Sequence, residues 1–370
     1  KDKEKFIFFR ALGLKMKIAI GFKTKKGPWG GGNKFVLSLT NYLKKKGHFV
    51  TYYLDDIDID LILIIDPRFN HPNVTFTPKE ILRYLLFKNK NAIVVHRINE
   101  CDERKNTNFV NRKMFKISQN ADFTIFVSSW IQKIYVEMGL NTEKSKVILS
   151  GSDTKVFNNT DKKQWDGKSR LKIVTHHWGN NWNKGFDVYS YIDSVISEKE
   201  FNDKFSFTYI GNLPKNFKFK NTNYIQPLSG HKLSTELKKY DLYVTGSLNE
   251  PSGNHQIEAS LCGLPVMFIN SGGIPEYQNN YGIEYSLENI TEKLETIYQN
   301  YSEYFIRNKN FNFDSVSMCK KYHDTFSSLY EKNQIEKKGI YLLTYRLLIK
   351  LKLIKFIKKS TAKIIYQLRK

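Results

Sequence analysis

The chain has 370 residues, of which 41% are hydrophobic and 14% aromatic. That is enough for packed cores and excludes a disordered, collagen-like or coiled-coil chain, and the length suggests two domains. The net charge is +23, from 59 basic and 36 acidic residues, and the three scattered cysteines, Cys101, Cys262 and Cys319, suit neither a disulfide framework nor a cysteine zinc site.

Short apolar runs alternate with amphipathic stretches along the first half. Lys17 to Gly21 reads as a buried strand. Asn33 to Lys46 reads as a helix that Asn33 caps and Gly47 ends. Phe49 to Tyr53, Leu61 to Ile65, Ala92 to His96, Phe123 to Val127 and Val147 to Ser150 are further strands. Helices around Lys79 to Phe87, Asn108 to Ser118 and Trp130 to Met138 separate most of them. This is the pattern of a parallel sheet covered on both faces. No segment reaches the roughly 18 apolar residues of a membrane span. Arg10 interrupts the apolar run Phe6 to Phe9, so the start does not read as a signal peptide.

The polar stretch Asn158 to Arg170 breaks the rhythm and reads as a linker. The pattern then restarts with strands over Leu171 to Thr175, Phe205 to Ile210, Leu242 to Thr245 and Val266 to Ile269. Helices over Asp187 to Ser197, Lys232 to Lys239 and His255 to Cys262 lie between them. The fold class is therefore α/β, with two doubly wound, Rossmann-like domains facing a cleft. The expected division is a first domain over 1–158, a linker over 159–170 and a second domain over 171–312. A helix over 313–336 crosses back to the first domain, and a basic tail follows over 337–370. Ligands in such sheets sit beyond the carboxyl ends of the strands.

Chemistry concentrates in three loops at those ends. Asn249-Glu250-Pro251-Ser252-Gly253-Asn254-His255-Gln256-Ile257-Glu258 places one carboxylate after a strand and a second about one turn into the next helix. The helix start between them offers N–H groups that bind phosphate. Glu258 could accept two hydrogen bonds from a ribose diol, and Glu250 could reach sugar hydroxyls. Read alone, the pair also fits two exposed acids around a helix cap. Gly30-Gly31-Gly32 follows the first strand and lets the backbone approach a ligand, although a plain flexible loop has the same composition. His176 and His177 are adjacent on a strand, so their side chains point to opposite faces and cannot easily share a metal. Asp56, Asp58 and Asp60 share a strand face but read as a solvated strand start rather than a metal site.

The segment from Glu250 to Val266 resembles the Glu-x7-Glu signature of family 4 of the glycosyltransferases, which have the GT-B fold. Gly272-Gly273-Ile274-Pro275-Glu276 is similar to the family's next turn. The resemblance covers roughly residues 16 to 330. It implies a hexosyltransferase-type enzyme that moves a sugar from a nucleotide sugar (UDP- or GDP-linked) to a saccharide or lipid-linked acceptor. It further implies retention of the anomeric configuration, no metal and no cofactor, in the synthesis of cell-surface polysaccharide or glycolipid. The acceptor would bind the first domain and the donor the second. Donor-binding positions implied by the resemblance are Gly31, Gly32, His177, Lys184, Ser252, Gly253, Asn254, His255 and Glu258. Glu250, Lys184 and His96 are the implied catalytic residues. Lys184-Gly185 matches the family's lysine on the leaving diphosphate, but the accompanying arginine is absent and His177 or an asparagine stands near its place. His96 matches a cleft histidine, and a satisfied strand-end histidine is the competing reading. Asn99, Glu100, Asp102 and Glu103 suit an acceptor loop.

From Lys337 to Lys370 eleven basic residues meet no acidic one. From Lys352 onward, Lys352, Lys355, Lys359, Lys363 and Lys370 fall on one side of a helical wheel. Leu353, Ile354, Ile357, Ile364, Ile365 and Leu368 fall on the other. Residues 340–370 are thus expected to lie on an anionic membrane surface, with the enzyme cytoplasmic and peripheral on the inner face. A tail packed on the protein is the alternative. A nucleic-acid-binding protein would account for the charge, but no reading motif is present. A non-catalytic sugar-binding protein of the same fold is the remaining alternative.

Overall fold

The computed structural model describes residues 15–25, 30–68 and 72–332. It contains two six-stranded parallel sheets. In the first, β1 (Lys17–Ile20), β2 (Phe49–Thr51), β3 (Leu61–Ile64), β4 (Ile93–Ile98), β5 (Phe123–Phe126) and β6 (Ser145–Val147) run in the order β2-β1-β3-β4-β5-β6. In the second, β7 (Leu171–His177), β8 (Phe205–Gly211), β9 (Asn223–Ile225), β10 (Leu242–Thr245), β11 (Val266–Ile269) and β12 (Ile283–Tyr285) run in the order β12-β11-β10-β7-β8-β9. Strands β3 and β10 are buried on both faces, which is why they read as unbroken apolar runs rather than alternating ones. The strand order reverses between β1 and β3 and between β7 and β10, and ligand crevices form at such points.

Helices cover both faces. The first, α1 (Gly31–Lys45), begins two residues before the expected start, with Gly30 at its N-cap. Asn33 does not cap it. Its amide instead exchanges two hydrogen bonds with the Lys25 backbone, at 2.9 and 3.1 Å, and so closes the loop after β1. Helix α2 (Pro78–Phe87) starts with a capping box between Thr77 and Glu80. A one-turn α3 (Asp102–Lys105) and then α4 (Val110–Ser118) and α5 (Ser129–Glu137) complete the first domain's main-chain order. In the second domain α6 (Phe186–Val195), α7 (Lys199–Lys204), α8 (Gly230–Leu237), α9 (Asn254–Leu261), α10 (Pro275–Gln278) and α11 (Ile290–Asn308) alternate with the strands.

The last described helix, α12 (Ser315–Lys332), packs against α1. Met318, Cys319, Tyr322 and Phe326 enter the same buried cluster as Ile18, Ile20, Phe35 and Leu39. The Tyr322 and Phe35 rings lie 5.0 Å apart. His323 Nε2 meets His48 Nε2 at 2.9 Å, while His48 Nδ1 accepts from the Met16 N–H. The chain therefore crosses between the domains twice, side by side. Ser152 pairs with Asp314 at the crossing, and a Cβ on Gly151 would fall 2.2 Å from the Asp314 carbonyl oxygen. Only glycine permits the two segments to touch there. The basic tail lies outside the described residues.

Candidate active site

The carboxyl ends of the two sheets face a cleft of about 330 Å³. Gly30, Gly31, Gly32 and Lys34 border it from the start of α1, Arg97 from the end of β4, and Asn99, Arg104 and Lys105 from the segment after it. His176, His177 and Lys184 come from the end of β7 and the loop beyond it. Glu250, Ser252, Asn254, His255 and Glu258 come from the turn after β10 and from α9.

Local backbone geometry places these groups. Residues Trp182–Lys184 form one 3-10 turn, and Gly185 reverses the chain at φ 102° into α6. A Cβ on Gly185 would lie 2.6 Å from the Gly246 backbone, so the turn is pressed directly onto the end of β10. Lys184 therefore reaches Glu250, and the two form a buried ion pair, 7% and 6% exposed. Gly253 is the N-cap of α9 and is not among the cleft-lining residues. Asn254 and His255 follow it into the helix, and Glu258 lies one turn on, 2% exposed. Two exposed acids around a helix cap is therefore not what the structure holds. A Cβ on Gly31 would sit 3.2 Å from Asn254 Nδ2, so the two helix starts nearly meet across the cleft. Both present N–H groups without intrahelical acceptors.

Each carboxylate is bracketed by cations or donors from both domains. Arg104 Nη2 lies 3.4 Å from Glu250 Oε1, while Lys184 occupies Oε2. Lys34 Nζ donates to Glu258 Oε1 at 2.6 Å, and His176 Nε2 lies 3.3 Å from Oε2. Burial alone would raise both carboxyls. Arg104 and Lys184 outweigh it and hold Glu250 well below the usual carboxylate range. Lys34 and His176 draw Glu258 down to about 2.

The histidines divide differently. The His177 and His255 rings meet edge to face at 4.6 Å, and their ring nitrogens are engaged by Tyr189 at 2.6 Å and Thr245 at 2.9 Å. Burial keeps both neutral, with His255 lowered to about 3. A neutral His177 cannot supply the charge of an arginine. His96 is fully enclosed, its Nδ1 2.7 Å from Ser118 Oγ, and does not line the cleft; its neighbour Arg97 does. The physical reason is strand alternation, which sends adjacent side chains to opposite faces.

The acidic loop after β4 is turned inward. Asp102 accepts from the Phe109, Val110 and Asn111 N–H groups and from Thr107, and so anchors the start of α4. Glu100 takes Lys105 at 2.7 Å and Arg104 at 3.4 Å. Glu103 accepts from the Asn111 amide. The two basic residues that follow these acids, Arg104 and Lys105, line the cleft, and the sequence pattern does not single them out. Glu276, in the turn after β11, accepts from the Ser129 and Trp130 N–H groups at 2.8 Å each. It thus caps α5 of the opposite domain. Asp56 and Asp58 hold Lys17, and Asp60 accepts the Lys17 N–H, all at the amino ends of the strands, away from the cleft. Among the described residues no cluster of three or more His, Cys, Asp or Glu could hold a metal.

Residues 211–310 match the family described as glycosyl transferases group 1, a span that includes Glu250 and Glu258 but not Lys184. No curated protein matches the chain. Solved structures resemble it over most of its length. The Anabaena protein HepE in complex with UDP-glucose is 15% identical with a TM-score of 0.61, covering 85% of this chain and 100% of that one. The catalytic domain of starch synthase IV from Arabidopsis thaliana, bound to ADP and acarbose, is 12% identical with a TM-score of 0.62, covering 86% and 100%. Sucrose-phosphate synthase from Thermosynechococcus elongatus is 13% identical with a TM-score of 0.57, covering 86% and 100%. With two parallel sheets facing a cleft, a glycosyl transferases group 1 match in the second domain and these neighbours, the chain has the GT-B fold.

Proposed function

We propose that the protein is a metal-independent, retaining glycosyltransferase of family 4 type, which moves a sugar from a nucleotide sugar to a saccharide or lipid-linked acceptor. The observation that carries this reading is the joint placement of Lys184, Glu250 and Glu258. All three are buried at one cleft wall, beside two helix starts, with the carboxylates eight positions apart. The nucleotide-bound forms of HepE and starch synthase IV support a diphosphate in the corresponding cleft.

The chemistry follows from where charge grows. As the glycosidic bond breaks, negative charge accumulates on the departing diphosphate. Lys184 and the N–H groups of Gly31, Gly32 and the start of α9 oppose that charge where it develops, which lowers the barrier more than it tightens ground-state binding. Ser252, Asn254 and His255 border the same phosphates. Glu250 holds the sugar hydroxyls and counters the positive charge growing on the ring. Glu258 exchanges Lys34 for the ribose diol. The acceptor approaches along the first domain, by Asn99 and Arg97. Closing the cleft aligns donor and acceptor and excludes water. The apolar and basic tail over 340–370 holds the enzyme to the inner membrane face, which suits the synthesis of cell-surface polysaccharide or glycolipid.

The test is a calorimetric screen of UDP-glucose, GDP-mannose and ADP-glucose. One of them should bind in the micromolar to millimolar range, as such donors generally do. Binding of none at millimolar concentration would defeat the reading.

A further inference from the structure

Among the described residues five lysine and arginine side chains line the cleft, and of these only Lys184 belongs to the second domain, which supplies both carboxylates. Of the three second-domain histidines at the cleft, His177 and His255 are kept neutral by burial, and His176 is turned onto Glu258. The nearest further cation to the Lys184–Glu250 pair is Arg104, and it arrives from the first domain.

Arg104 is delivered by a built arm. Asp102 fixes the start of that arm through four hydrogen bonds, and Asn106 ends α3 in the left-handed region at φ 52°. Two second-domain amides then grip the arm's main chain. Asn183 Nδ2 donates to the Arg104 carbonyl and Asn249 Nδ2 to the Glu103 carbonyl, each at 3.2 Å. Those asparagines immediately precede Lys184 and Glu250. The arm is therefore docked on the same two loops that carry the buried pair. The Arg104 Nε is buried with no hydrogen-bond partner, so the guanidinium is not saturated by Glu100 and Glu250. An unsatisfied buried donor beside a cleft is stabilised when an oxygen-rich anion enters.

We infer that Arg104, carried across the cleft on residues 102–105, is a second cation on the leaving diphosphate. It acts only when the arm is docked on Asn183 and Asn249. This rests on the glycosyltransferase reading and adds to it a condition. The leaving-group site is incomplete in either domain alone and is completed by closure. Bond cleavage is then coupled to the closed, water-poor state, because the open enzyme lacks one of the two cations that the departing phosphate requires.

The probe is UDP, the leaving group itself, with GDP and ADP as alternatives, titrated into the full chain. Arg104→Ala should weaken binding of the preferred diphosphate by at least about tenfold, the scale of one charge-assisted hydrogen bond. Asn183→Ala/Asn249→Ala should weaken it by at least about threefold while leaving every cleft charge in place, because only the docking of the arm is lost. Far-ultraviolet circular dichroism and an unchanged unfolding midpoint establish that each variant is folded. If the wild type binds a diphosphate and Arg104→Ala binds it equally well, the arm has no such role and the glycosyltransferase reading stands. If Arg104→Ala weakens binding but the double asparagine variant does not, Arg104 acts without a docked arm and the closure condition is overturned. If the wild type binds none of the three, the glycosyltransferase reading itself fails.

Discussion

Lys34 of the first domain and Glu258 of the second meet across the cleft, Nζ to Oε1 at 2.6 Å, with His176 on the other carboxylate oxygen. The acid is buried and the lysine is partly exposed. On the proposed reading, a nucleotide that binds Glu258 displaces this contact between the domains.

The pair should be measurable by a double-mutant cycle of Lys34→Ala and Glu258→Gln in urea unfolding. A coupling of about 1 kcal/mol is expected, because the lysine end remains partly hydrated. Additive effects would show that the contact contributes nothing. Glu258→Gln should also weaken the preferred nucleotide sugar by about tenfold, since a neutral amide holds a diol less well than a carboxylate. Unchanged affinity by calorimetry would remove Glu258 from the ribose.

Lys184→Ala should lower kcat by about two orders of magnitude, or about 2.7 kcal/mol, because its charge opposes one that exists mainly in the transition state. Steady-state kinetics on the preferred donor and acceptor check this. A kcat within about threefold of wild type would assign the leaving group to other cations.

Activity should persist in excess EDTA, because side-chain cations and helix N–H groups meet the phosphate charge. Loss of activity that manganese or magnesium restores would mean that the diphosphate carries an ion into the cleft.

Acid should destabilise the fold well before ordinary carboxylates titrate. Burial lowers His48 to about 4, and His96 and His255 to about 3, whereas the unfolded chain titrates them near 6.5. Between those values the unfolded chain binds protons that the folded one refuses, so stability falls as pH drops from about 6.5 toward 4. Each such histidine contributes a slope of about 1.4 kcal/mol per pH unit. Above pH 7 these groups should leave stability flat. Below about 4.5 Glu258, held at about 2, adds to the loss. Urea unfolding at pH 7, 6, 5 and 4 checks the slope, and His48→Gln should reduce it by roughly a quarter, because burial also keeps His177 neutral. A flat profile to pH 5 would contradict the burial of these rings.

The full chain should co-sediment with anionic vesicles, and a version ending at Gly339 should not. High salt should weaken binding without abolishing it, because lysines reach the headgroups while Leu and Ile insert beneath them. If both versions stay in the supernatant, the tail does not address a membrane.

The sheet and its cleft were legible because apolar runs such as Leu61 to Ile64 leave little choice of element. The second-domain wall was legible because Glu250, Glu258 and the helix start between them are close in sequence. The opposing wall was not. Arg104 meets Glu250, and Lys34 meets Glu258, over separations that no local pattern records. In a chain with 59 basic residues, one lysine or arginine in a loop carries no signal of its own. His96 and Arg97 show a finer limit. They differ by one position, and the face of a strand end is settled by packing, here by Ser118 behind His96. Strand β12 was missed for a related reason: a three-residue edge strand has too few residues to show a period.

Helix α12 gives the first domain an unusual biography. Its core contains Met318, Tyr322 and Phe326, which the ribosome adds after the whole second domain has been made. Until then the groove beside Phe35 and Leu39 has no occupant, and the nascent first domain remains a partly open shell. The second domain, contiguous in the chain, can close its own core first. The domain that is begun first is therefore completed last, and a nascent chain arrested before Met318 would leave an apolar groove for chaperones to cover.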